Sequence, residues 1–172
     1  DKRSSLAMHA AFGIAIPYGN STIIPYEKRY CSGGANSVRG WSVRSLGPGG
    51  FRGEDGKIDF INHTGNVKLD LSIEFRTHLF WKLHGAAFID AGNIWNTHTS
   101  APQGRFRWNT FYRELAASYG LGLRLTFDYF VIRLDGGMKA VNPSYTGRDQ
   151  FPIIHPKFSR DFALHFAVGL PF

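Results

Sequence analysis

The chain has 172 residues, 20 of them Lys or Arg against 13 Asp or Glu, for a formal net charge of +7, and 43% are hydrophobic. It has no run of about 18 apolar residues, which excludes a transmembrane helix, and its mean hydropathy of −0.21 is what alternating apolar and polar positions average to. The basic residues are dispersed, without the clustered basic helix or aromatic platform of a nucleic-acid reader, so no nucleic-acid partner is expected.

The first periodic segment covers about residues 6–18. Leu6, Met8, Ala10, Phe12, Ile14 and Ile16 form one row, with Ala7, His9, Ala11 and Gly13 opposite. A period of two is the signature of a strand with unlike faces. A long connection of about residues 19–65 follows. It holds Gly33-Gly34 and Gly49-Gly50 on either side of Arg39, and the glycines and Pro48 permit tight turns that other residues disfavour. Such a loop can fold compactly about its arginine, although the residues alone favour a flexible external loop whose arginine is only solvated. It is not a phosphate loop, since neither a Gly-Lys-Ser/Thr ending nor a helix follows. The lone cysteine in it, Cys31, allows neither an intrachain disulfide nor a cysteine metal site.

The second strand, about residues 66–80, is the cleanest: Val67, Leu69, Leu71, Ile73 and Phe75 oppose Lys68, Asp70, Ser72, Glu74 and Arg76. A less regular strand follows at about 83–95. Next comes about 113–127, where Tyr119, Leu121, Leu123 and Leu125 face away from Ser118, Gly120, Gly122 and Arg124. At about 129–140, Ile132, Leu134 and Met138 oppose Arg133, Asp135 and Lys139, and the last segment, 162–172, alternates Phe162, Leu164, Phe166, Val168, Leu170 and Phe172 with small or polar residues. A greasy row on one face and polar groups on the other suits a wall between lipid and a wet lumen. The connections alternate long and tight, as in outer-membrane barrels with external loops and short periplasmic turns. The expected fold is an all-β, antiparallel transmembrane β-barrel. Six strands leave two raw edges where such barrels begin at about eight strands, so the chain is expected to be the C-terminal part of one larger barrel domain with something N-terminal to it, or else chains associate.

Three stretches carry a resemblance to a known family. Lys28-Arg29-Tyr30 through Pro48, with Val38-Arg39-Gly40-Trp41 at its centre, resembles the conserved loop of the BamA/TamA outer-membrane superfamily, also called the bacterial surface antigen family. Phe88-Ile89-Asp90-Ala91-Gly92-Asn93-Ile94-Trp95 resembles its Phe-x-Asp-x-Gly-x-x-Trp motif, and Phe166 to Phe172, with Val168, Gly169 and Leu170, its closing β-signal. The wording is most similar to TamA-like members of Bacteroidetes. The resemblance implies a sixteen-stranded barrel behind periplasmic POTRA domains, of which this chain supplies the last six strands. It further implies a loop folded into the lumen, where Arg39 meets Glu74 and Asp90. The seven His lack ligand spacing, and neither a metal nor a cofactor is expected.

The function that follows is assembly, insertion or translocation of client outer-membrane or secreted proteins in the bacterial outer membrane. The working parts would be a weak seam between first and last strands and a client strand added to the open edge. Outer-membrane lipid and lipopolysaccharide are the expected surroundings of the apolar rows and basic loops. The alternative is a passive porin or secretion pore with the loop as its constriction. A soluble barrel, with its apolar rows inside, is a lesser reading. No residue set has the local signature of a nucleophile and its base, so no enzyme is expected.

Overall fold

The computed structural model describes residues 3–21, 24–52, 62–97 and 104–169. Six strands, β1 (Ser4–Ile14), β2 (Val67–Phe80), β3 (Leu83–Trp95), β4 (Ala116–Thr126), β5 (Val131–Val141) and β6 (Phe162–Val168), form one sheet in chain order. Every neighbouring pair is antiparallel.

Register follows from the alternation, because a slip by one residue would exchange the two faces. Glu74 stands opposite Ala7 on β1 and Phe88 on β3, Asp90 opposite Ser72, and Asp135 opposite Gly122 and His165. Polar rows therefore coincide across the whole sheet. The apolar rows coincide on the other face and, except at the loop end where Val67 and Trp95 are buried, are largely open: Leu121 is 72% exposed and Ile73 50%, and Leu6, Met8, Phe12 and Phe166 are exposed as well. A soluble protein rarely leaves more than a few hundred Å² of contiguous apolar surface uncovered. A face of this extent needs hydrocarbon against it, and the buried side is the polar one.

The strand ends differ from the simple alternation. β1 stops at Ile14, short of Pro17, and β4 starts only at Ala116 because Phe111–Glu114 winds into a 3-10 turn. Residues 170–172, and with them Leu170 and Phe172 of the closing motif, lie outside the described residues. The irregularity of β3 has a physical cause. Its last residues, Ile94 and Trp95, are buried because loop backbone lies over them, with Gly49 N–H donating to Ile94 O at 2.8 Å and Asn66 N–H to Trp95 O at 2.7 Å.

The tight turns lie at one end. His78 closes the β2–β3 turn on the carbonyl of Trp81, whose φ is 51°, and Phe127 N–H donates to Phe130 O at 2.9 Å in the β4–β5 turn. The end of β6 lies there too, with Gly169 N–H on Val131 O at 2.7 Å. The three long connections leave from the opposite end. The last of them includes a 3-10 turn, Gly147–Gln150, and a single helical turn, α1 (Phe158–Asp161).

Candidate functional site

The described part of the first long loop lies against the polar face. Its local fold depends on glycine at two points: Gly33 and Gly34 have φ of 96° and 104°, and a Cβ on Gly40 would sit 2.6 Å from that of Ser118. The loop carries a small apolar core of its own, in which Val38, Trp41 and Leu46 pack with Ala116 of β4. Each polar residue before the arginine then meets a different strand. Asn36 Oδ1 accepts from Arg133 Nη2 of β5 at 2.5 Å, and Ser37 Oγ donates to Asp70 of β2 at 3.0 Å.

Arg39, 1% exposed, is the centre of this arrangement. Its Nε and Nη2 each donate to an oxygen of Asp90 at 2.8 Å, a two-bond fork, and its backbone N–H donates to Asp90 Oδ2 at 3.1 Å. Nη1 donates to Glu74, and Nη2 also reaches Ser72 Oγ at 3.2 Å. The guanidinium lies 3.6 Å from the ring centre of Phe88, so β3 supplies both an acid and an aromatic face. Burial by itself disfavours the charged form of Arg39, but Asp90 and then Glu74 outweigh it and hold its pKa above the ordinary value.

The acids are shared. Glu74 also accepts from Arg76 Nε at 2.7 Å and Arg124 Nη2 at 2.9 Å, and Arg124 Nη1 donates to Asp135. Arg39, Arg124 and Arg133 thus face Glu74, Asp90 and Asp135 in a buried set whose formal charges cancel. Charges this deep are tolerable only when paired and hydrogen-bonded.

Other residues of the sequence motifs have separate places. Gly92 lets β3 run against β2, since a Cβ there would collide with Leu69 O, and Trp95 donates from Nε1 to Glu114 Oε2 at 2.7 Å while stacking edge-on with Phe106. Trp41 lies under Lys139, whose Nζ is 5.4 Å from its ring centre. On β6, Phe166 and Val168 face outward and Gly169 has φ of 103°. In the sequence Arg124, Arg133 and Asp135 fall in the polar rows of their strands with nothing that joins them to Arg39, and the contacts of Asn36, Ser37 and His165 carry no local signal. Alternation puts Arg124, Arg133, Asp135 and His165 on the same face as Glu74, which is the available signal for their placement; Asn36 and Ser37 lie in no strand. Among the described residues no group of three or more His, Cys, Asp or Glu could hold a metal ion.

The Omp85 superfamily domain matches residues 1–172. The outer membrane protein assembly factor BamA of Neisseria meningitidis serogroup B (strain ATCC BAA-335 / MC58) is 32% identical over 107 residues, which are 57% of this chain and 12% of that protein. The crystal structure of BamA from Haemophilus ducreyi lacking POTRA domains 1-3 has the same fold, with a TM-score of 0.64 at 17% identity over 97% of this chain and 31% of that one. The chain therefore spans only a minor part of the length of either relative. Matched along its whole length, with a polar wall under its loop and apolar rows turned outward, the chain belongs to the Omp85 superfamily and is part of a bacterial outer-membrane β-barrel.

Proposed function

We propose that the chain is the last six strands of a sixteen-stranded barrel behind POTRA domains, and that the whole protein assembles, inserts or translocates client proteins at the outer membrane. The superfamily and the naming of the Neisseria relative as an assembly factor support this reading. The wording Lys28-Arg29-Tyr30 and Leu46-Gly47-Pro48-Gly49 favours a TamA-like member of the Bacteroidetes type. The reading is non-enzymatic: the buried acids of the wall serve its arginines. Membrane lipid covers the apolar rows, and lipopolysaccharide meets the basic outer loops.

The observation that carries the mechanism is the contrast between two parts of the sheet. Strands β2 to β5 are tied together by side chains of the Arg39 network, while β6 is seven residues long against 11 to 14 for the other strands. In the proposed barrel this short strand would close on the first strand, and a client segment would add at that seam by β-augmentation. A passive pore would need an open lumen lined with charge, and the inward position of the loop weighs against it. In the full-length protein, a photo-reactive residue replacing Ala167 on β6 should capture newly exported outer-membrane proteins. The same residue replacing Leu123 on β4 should not, and equal capture at both sites would contradict the reading.

A further inference from the structure

The inward row of β6 is Ala163, His165 and Ala167, so only one of its side chains can hydrogen-bond. His165 is buried, and its Nε2 donates to the backbone carbonyl of Arg39 at 2.9 Å, across 126 positions of sequence. The guanidinium of that same Arg39 is held by β2 and β3. Between these two attachments the loop backbone passes over β5 at Gly137, where a Cβ would collide with the Arg39 carbonyl. A glycine at that point lets the loop come down far enough for His165 to reach it. One loop residue thus spans the sheet from its interior strands to its edge.

We infer that His165 is a positioning residue that braces the edge strand to the loop arginine, so that the state of the loop sets how firmly β6 is held. Apart from this bond, β6 is attached through its ladder to β5, from Ile132–Val168 to Met138–Phe162. Just before its start, Lys139 Nζ donates to Arg160 O at 2.9 Å. Neither attachment reaches β2 or β3. When Arg39 leaves its acids, its carbonyl moves with it, and the edge loses this tie to β2 and β3. The functional consequence rests on the seam reading; the brace itself does not.

Hydrogen exchange of the full-length protein in lipid nanodiscs, followed by mass spectrometry, tests it. His165→Ala should speed exchange in 162–168 about two- to tenfold, the factor that one hydrogen bond is worth, and leave 67–95 unchanged. His165→Gln, whose amide N–H can still donate, should restore the protection. Unchanged exchange in 162–168, an equal rise in 67–95, or failure of the glutamine to restore protection would overturn the brace. If β6 loosens in His165→Ala while client capture at position 167 stays at the wild-type level, the brace stands and the seam reading fails.

Discussion

Arg39 has to satisfy two acids, a hydroxyl and an aromatic face at once, and only a planar fork of donors can do so. An ammonium keeps the charge and loses the fork. Arg39→Lys should therefore lower the unfolding free energy by about 1.5–3 kcal/mol, the worth of a hydrogen bond to a charged group, measured from urea denaturation of the full-length protein. A wild-type midpoint would show that charge alone suffices. At this scale the sequence was legible only in part. Arg39 stood out between its glycine pairs, and its acids Glu74 and Asp90 came from a family resemblance, not from the residues. Asn36, Ser37 and His165 were not legible as contacts, because local periodicity assigns a residue to a face and says nothing about which loop will cover it.

The strands were the most legible elements, since a period of two fixes face and register together. Their ends were not, because the 3-10 turns and α1 follow from loop contacts and not from alternation. The outward rows make a direct prediction. Leu121 is central in β4 and open to hydrocarbon, so Leu121→Arg should destabilise the barrel by about 2–4 kcal/mol, as expected for a basic residue near the bilayer midplane. Heat-modifiability on gels, compared with Leu121→Ser, measures it, and a change no larger than that of the serine variant would contradict an outward, lipid-facing row.

The third long connection holds its own charged knot. Arg160 donates to Asp161 from Nε at 2.8 Å and Nη2 at 3.0 Å, and to Asp149 from Nη1 at 3.0 Å, while Lys157 N–H donates to Asp161 at 3.0 Å. Burial pushes the Asp161 carboxyl up, but Arg160 and the Lys157 amide outweigh it and leave its pKa below the usual value. The bond from Arg160, followed by the charge of Lys157, does the same for exposed Asp149. Both carboxyls are depressed on folding, so the ordering they supply is fully present above about pH 3.9, the usual value for Asp, and is lost as pH falls through the lowered values. Pepsin cleavage near the exposed Phe151 and Phe158 should thus be faster at pH 2 than at pH 4.5, after correction with an unstructured control peptide. No excess cleavage at the lower pH would contradict this role for the knot.

As a whole, the molecule inverts the usual rule of burial. Its large buried side chains include Arg39, Arg124, Arg133, Glu74 and Asp90, while leucines and phenylalanines of the outward rows such as Leu121, Leu164, Phe12 and Phe166 lie open. That inversion was readable from alternation with polar partners, although alternation cannot say which face a loop will cover. The loop gives the inversion its function in our account: it neutralises the polar wall and keeps the lumen occupied for as long as Arg39 holds its acids. Planar-bilayer conductance of the full-length protein, as wild type and as Arg39→Ala, tests this most directly. The account predicts a small conductance in the wild type and a larger one when the arginine is lost. A large, steady channel that the substitution leaves unchanged would contradict it.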